Sequence, residues 1–321
     1  MSPKLLPSAA IGAGIAALLA LVPFLADGYG MSLAISMLSY AVLATAWAMF
    51  SGPTRYVSLA TVAFFGVGAY TVGVLGELLP WPLVLAAAGL IGVALALVVG
   101  LATMRLAGAY FVIFTFGLTE LIRQLVTWYE VKVSHTIGRY VFLDISQPQI
   151  YWQLLALGFV LFLTVLAVGR SRLGFALRVV GGDEMVARHV GIDTARVKAG
   201  LFALSALFMA LTGAIMAPRW TYIDPAIAFN PVISFQVVIM ALLGGVQRFY
   251  GPVLGVIPLT LLGEWLSATF PNHSSLMLGL VFLAIVYLLP RGVVGLLAAE
   301  TGPRRLVRFH RFVRFLAART T

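Results

Sequence analysis

Long apolar runs separated by short polar or Pro/Gly stretches fill this chain from one end to the other. Uncharged runs of this length predict membrane-spanning helices, because a bilayer core takes roughly 20 apolar residues of helix. Ten spans are predicted, at about 8–26, 31–50, 58–79, 82–104, 108–128, 150–169, 198–217, 232–249, 252–270 and 275–290. The separators are residues that stop helices: Asp27-Gly28, Gly52-Pro53, Pro80-Trp81-Pro82, Pro148, Pro218, Asp224-Pro225, Pro231, Gly251-Pro252, Pro271-Asn272 and Pro290. The first run follows Lys4, yet it outlasts the apolar core of a signal peptide and meets no small-x-small cleavage site before Asp27. It therefore counts as a span.

The charges sort along this pattern. With the N-terminus in the cytoplasm, inside segments collect Lys4, Arg55, Arg105, Arg170, Arg172, Arg178, Arg188, Arg196, Lys198, Arg248, Arg291 and the six arginines beyond Pro303. Outside segments hold Lys132, Arg139 and Arg219, and Arg123 alone lies within a span. Such segregation is what the positive-inside rule demands. The expected fold is an all-α polytopic membrane protein of about ten helices with both termini cytoplasmic. One permease-like domain fills residues 1–300, followed by a basic tail over 301–321. Four spans on each side of the sixth would form two four-helix units of opposite orientation, the inverted-repeat plan of many transporters. Gly66, Gly68, Gly89, Gly92, Gly244 and Gly245 fall in or at the ends of spans. They either let helices approach closely or mark unwound segments along a path.

Composition agrees and removes several functions. Hydrophobic residues make up 61% of the chain and charged residues 10%, against roughly a quarter charged in a soluble domain. The net charge of +10 follows topology, so no nucleic-acid partner is expected. Cysteine is absent, which excludes disulfides, thiolate metal sites and a cysteine nucleophile. No G-x-x-x-x-G-K-[ST] phosphate loop is present, so nucleotide cannot be hydrolysed by that route. His135, His189, His273 and His310 are scattered, and no serine sits in a nucleophile elbow. A transport subunit with no catalytic residue, metal or cofactor of its own is expected.

One polar segment stands out, Gly174 to Asp193, with Arg178, Asp183, Glu184, Arg188 and Asp193 between two apolar runs. Asp183 is placed to cap a short helix, Glu184 favours its positive end, and Gly191 can close it. Met185, Val186, His189 and Val190 then share one face, and Asp193 caps the next helix through Thr194-Ala195-Arg196. Two readings stay open: a solvated connector, or a surface helix that fits a groove on a soluble partner.

Charges also lie within spans. Glu120 and Arg123 sit one turn apart in the fifth span and Glu264 lies in the ninth, both glutamates roughly 20 Å from the cytoplasmic ends of their helices by the rise per residue. A charge at that depth is costly unless paired or facing water. With Tyr110, Thr115, Thr119 and Gln124 they form either a structural ion pair between helices or a lining for polar substrate groups. The tail beyond Pro303 alternates Arg304, Arg305, Arg308, Arg311 and Arg314 with Leu306, Phe309, Phe312, Val313 and Leu316. That pattern suits an anionic membrane surface or a partner.

Five blocks in order make the chain similar to the LivM-type permeases of branched-chain amino acid ABC importers. Ser58 through Tyr70, SLATVAFFGVGAY, resembles the family's S-L-G-H-A-A-F-F-G-I-G-A-Y. Leu106-Ala107-Gly108-Ala109-Tyr110-Phe111 follows, with Thr115 and Glu120-Leu121-Ile122-Arg123. The third block is the hairpin itself. The last two are Leu243-Gly244-Gly245 with Tyr250-Gly251-Pro252-Val253-Leu254-Gly255, and Leu289-Pro290-Arg291-Gly292.

The resemblance implies a multi-pass subunit of a bacterial or archaeal cytoplasmic membrane that pairs with a second, related permease. Two cytoplasmic ATPases would dock on the pair and use ATP and Mg, and a periplasmic binding protein would deliver the substrate. Arg178, Asp183, Glu184, Met185, Arg188 and Gly191 would then receive the ATPase stroke, and Tyr110, Thr115, Glu120, Arg123 and Glu264 are candidates for the path. Two departures stand out: Ala60-Thr61 replaces the family's Gly-His, and Val131 to Arg139 lacks its Thr-Gly-Gly/Asn-Gly element. Urea, amides and small organic acids are therefore alternative substrates. An ion-coupled secondary transporter using Glu120 and Glu264, and a non-transporting scaffold, are the rival classes.

Overall fold

The computed structural model describes residues 12, 14, 16–103, 106, 108–246, 250–271 and 273–288. The basic tail, the Leu289–Gly292 block and most of 8–15 lie outside them. Seven described helices are long and apolar enough to cross a membrane, and Ala16–Leu25, Thr61–Leu75 and Leu276–Ile285 are shorter apolar ones. The chain is a multi-pass, almost entirely helical membrane protein.

Helix α1 (Val22–Leu25), the end of the apolar stretch Ala16–Leu25, leads into α2 (Gly28–Thr54), capped by Asp27, whose side chain accepts from the Gly30 amide at 2.8 Å. Gly52 and Pro53, predicted as a separator, instead lie in the last turn of α2. The proline removes one backbone bond where the helix is about to stop, so the cost is small. Arg55, at φ 60°, ends it.

The predicted third span is not one helix. Residues 55–60 are non-helical, and α3 runs only over Thr61–Leu75. Irregular backbone inside a bilayer is tolerated only when protein groups satisfy it. Here side chains from three other helices do so. Trp47 Nε1 donates to the Ser58 carbonyl at 2.7 Å, and the Leu59 amide donates to Thr115 Oγ1 at 3.0 Å. Thr119 Oγ1 donates to the Leu59 carbonyl at 3.4 Å, and the Val62 amide donates to Ser234 Oγ at 3.0 Å.

Helices α4 (Trp81–Thr103) and α5 (Ala109–Tyr129) follow, α5 continuing as a π-helical turn over Glu130–Ser134. Strand β1 (Arg139–Tyr140) leads to α6 (Gln147–Arg170), α7 (Arg172–Gly182), α8 (Glu184–His189) and α9 (Thr194–Met216). Strand β2 (Tyr222–Ile223), α10 (Pro225–Ala228), α11 (Pro231–Gly244), α12 (Gly251–Thr269) and α13 (Ser274–Leu288) complete the description. The two strands pair antiparallel, Arg139 opposite Ile223, and tie the loop after α5 to the loop after α9.

Helix α9 is the core. Of its apolar window 78% is buried, against 28–56% for the other long helices. It packs against α4, α3, α2 and α6. A methyl added to Gly68 of α3 would collide with the Ala210 carbonyl of α9, and one added to Gly213 of α9 with the Phe65 carbonyl of α3. Small residues thus set this crossing, as they do in lipid generally. Gly66, Gly89, Gly92 and Gly244 likewise sit in helices against neighbouring elements, which favours the packing reading for them. Phe50, Phe64, Phe111 and Phe202 fill the space beside α9 with ring centroids 5.0–6.4 Å apart.

Candidate coupling hairpin and polar sites

The hairpin folds as α7 and α8. Gly174, Leu177 and Val180 of α7 are buried at helical spacing, which leaves Arg178 exposed. Asp183 caps α8, its Oδ1 accepting from the Met185 amide at 2.8 Å and the Val186 amide at 3.3 Å. Gly191, at φ 86°, reverses the chain after α8, while the Ile192 amide closes back on the Ala187 carbonyl at 3.0 Å. Positive φ is the conformation for which glycine is the default. Asp193 caps α9, accepting from the Arg196 amide at 3.1 Å. Ala187 is buried beneath α8, whereas Met185, Val186 and Val190 are 70%, 52% and 71% exposed.

Sequence reasoning treats Glu184 and Arg188 as solvent-facing charges and Lys198 as one more inside cation. Geometry joins them differently. Lys198, fully buried on α9, places Nζ 2.9 Å from Glu184 Oε1. Tyr56, from the irregular segment before α3, donates to Glu184 Oε2 at 3.0 Å and accepts from Lys198 at 3.1 Å. Arg188 and Thr194 complete the cluster at 2.8 and 3.1 Å from Glu184 Oε1. The Lys198 ammonium also lies 4.4 Å from the centroid of the Tyr56 ring, a favourable cation–π distance. Partial burial alone would raise the Glu184 carboxyl, but hydrogen bonds from Lys198 and Arg188 outweigh it and hold the group down at about 2. Tyr56 and Lys198 escaped notice because neither belongs to a local motif. The only sequence signal was a lysine at the start of an otherwise apolar span.

The five path candidates do not converge on a cavity. Thr115 is fully buried and serves the Leu59 amide. Tyr110 is 75% exposed on the outside of α5. Arg123 pairs with Glu120 within α5, through Nε at 2.9 Å and a second, shorter contact from Nη2. That pair is local to one helix and does not hold two together. Gln124 adds a bond to Glu120 at 2.9 Å. Glu264 is exposed on α12, and among the described residues no ion pair links it to Glu120 or Arg123.

Polar groups to which no motif assigns a role line the end of the molecule opposite the hairpin. Glu130, 1% exposed in the π-helical turn, accepts from the Gly138 amide at 2.7 Å and from Tyr70 at 3.2 Å. Arg139 lies 3.3 Å from it, at ion-pair distance but without hydrogen-bond alignment. These groups border a mainly apolar recess of about 510 Å³ that includes Val67, Leu125 and Phe229. A second cavity, of about 330 Å³, lies between α2, α3, α11 and the last turn after α9 and is lined by Ser36, Tyr40, Phe65, Met216, Arg219 and Trp220 among others. No group of three or more metal-ligating side chains occurs among the described residues.

Comparisons with known proteins agree with this architecture. Residues 30–286 match the family described as the branched-chain amino acid transport system / permease component. The high-affinity branched-chain amino acid transport system permease protein LivM of Salmonella typhimurium is 26% identical over 306 residues, covering 85% of this chain and 71% of the relative. LivM of Escherichia coli matches to the same extent. The high-affinity branched-chain amino acid transport system permease protein LivH of Escherichia coli is 29% identical over 141 residues, covering 42% of this chain and 45% of LivH. No solved structure matches. The matched region takes in the irregular segment, the hairpin and the core helix α9, and the chain belongs to the family of branched-chain amino acid transport system permease components.

Proposed function

We propose that this chain is one of two related permeases in an ATP-driven importer of the bacterial cytoplasmic membrane. A binding protein outside would deliver branched-chain or similar small amino acids, and two separate ATPase subunits inside would hydrolyse ATP with Mg. The observation that carries this reading is the hairpin. An apolar, exposed knob of Met185, Val186 and Val190 sits on a helix whose Glu184 is locked to both α9 and the segment leading into α3. A knob that only decorated the surface would need no buried counter-ion behind it. Movement pressed onto α8 by a docked ATPase would reach the core helix and the break before α3 directly, as a rigid-body displacement. LivM and LivH relatives, named as permeases of high-affinity branched-chain amino acid transport, support the substrate class.

The charge segregation in the sequence puts the hairpin in the cytoplasm and Arg139 and Arg219 outside. Seven long and three shorter apolar helices match in number the ten spans expected. Tyr110, Glu120 and Glu264, exposed on the single chain, would meet the path only where the second permease covers them. Reconstitution with that permease, the ATPases and the binding protein in liposomes tests the reading. Leucine-loaded binding protein should stimulate ATP hydrolysis above the empty form. Uptake that persists without hydrolysis and collapses with an uncoupler would instead indicate an ion-coupled transporter.

A further inference from the structure

Arg219 ends the span-length stretch Thr194–Arg219, about 32 Å along the helix axis from Lys198 by the rise per residue. It is half-buried, and among the described residues its guanidinium donates to hydroxyls, Ser32 Oγ at 2.6 Å and Ser36 Oγ at 3.4 Å. Among the described residues no carboxylate lies within ion-pair distance of it. A half-buried arginine that meets only neutral partners keeps its charge available to an anion. Two hydroxyl contacts do not exhaust its five donors, and its planar fork matches a carboxylate.

The surroundings narrow the ligand further. The cavity on which Arg219 opens adds the hydroxyl groups of Ser36, Ser39 and Tyr40 to apolar walls from Leu43, Phe65 and Trp220. Tyr40 is fixed by donating to Gln236. Its volume of about 330 Å³ lies at the small end of ligand pockets, roughly 300–1,000 Å³. One cation, neutral hydroxyls and a mostly apolar wall suit a singly charged anion with an apolar body, whereas a phosphate dianion would be under-neutralised. The larger recess offers no comparable charge, since Arg139 there already faces Glu130 at 3.3 Å. One turn along α3 from Phe65 lies Thr61, 1% exposed and with its hydroxyl unpartnered. It supplies a polar step deeper on the same helix face.

We propose that this cavity binds the carboxylate of a small amino acid with an apolar side chain, Arg219 serving as counter-ion and hydrogen-bond donor and Phe65 and Trp220 as the apolar walls. The proposal rests on the importer reading and adds to it the group that the permease itself recognises.

The absence of cysteine from the chain makes the test direct. Ser36→Cys, and separately Met216→Cys, is placed in the assembled importer and labelled with the anionic sulfonatoethyl or the cationic trimethylammonioethyl methanethiosulfonate. Modification is read as a mass shift on this chain. The anionic reagent should react about tenfold faster, as expected for a nearby fixed cation in a low-dielectric site. Millimolar leucine should protect and leucinamide should not, and Arg219→Gln should remove both the charge preference and the protection, with Arg219→Lys keeping part of each. Equal rates for both reagents, no reaction with either at both positions, protection by leucinamide equal to that by leucine, or protection by phosphatidylglycerol alone would overturn the proposal. The two readings fail separately. Charge preference and leucine protection without any ATP-driven uptake would sink the importer reading alone, whereas normal uptake by Arg219→Gln would sink this site alone.

Discussion

Glu184 of the hairpin and Lys198 of the core helix meet at 2.9 Å, with the lysine fully buried. Residues 14 positions apart in sequence thereby join a surface helix to the centre of the bundle. Breaking a buried pair by removing one partner typically costs about 3–5 kcal/mol, because the other charge is left uncompensated. Glu184→Gln should therefore raise hydrogen exchange over 184–198 sharply while exchange in α4 and α6 changes little. The double variant Glu184→Gln/Lys198→Met should recover much of the protection. Equal damage from the single and double variants would show that the pair is not the anchor.

The same carboxylate sets a pH window. Its value in the folded protein, about 2, lies below the usual 4.5, so its stabilising contribution is fully present above about pH 4.5 and is lost as pH falls toward 2. Hairpin protection should hold at pH 5 and above and decay below about pH 4, a decay absent in Glu184→Gln. A decay of equal size in Glu184→Gln would contradict this assignment.

Met185, Val186 and Val190 are exposed. Met185→Asp together with Val190→Asp should leave abundance and thermal stability within about 0.5 kcal/mol of wild type. Co-purification of the ATPase subunits should fall at least tenfold. Unchanged association would remove the knob from the interface.

The crossing of α3 and α9 has no room for a side chain. Gly213→Val would drive its branches into the Phe65 carbonyl, an overpacking cost of at least about 3 kcal/mol. Membrane abundance should collapse. Gly263→Ala, where a methyl meets nothing within 4 Å, serves as the tolerated control.

Much of this fold is legible as hydropathy. Helices α6, α9 and α12 start and stop, and α4 and α13 start, within a few residues of their expected positions, since Pro, Gly and Asp mark these ends. The break before α3 was not legible. Val57, Leu59 and Ala60 are as apolar as the helix they precede, and the side chains that bond the backbone of Ser58, Leu59 and Val62, namely Trp47, Thr115, Thr119 and Ser234, lie on other helices. Thr115 looked like a lining residue for the same reason: polarity within a span is visible in sequence, but its partner is not. The positive-inside count separates Lys198, inside, from Arg139 and Arg219, outside, but says nothing of their partners. In the folded chain the first is a buried anchor, the second faces a buried glutamate, and the third opens on a cavity. The caps at Asp183 and Asp193 were legible because they act within three residues of themselves.

The central claim is that force enters through α8 and reaches the bundle through Glu184. The measurement that tests it most directly compares ATP hydrolysis and leucine uptake in the same liposomes for the wild-type importer and for Glu184→Gln. The account expects hydrolysis to continue, at no less than about half the wild-type rate, while uptake falls at least tenfold, a difference of about 1.4 kcal/mol in transmitted coupling. Uptake that stays in proportion to hydrolysis would contradict it.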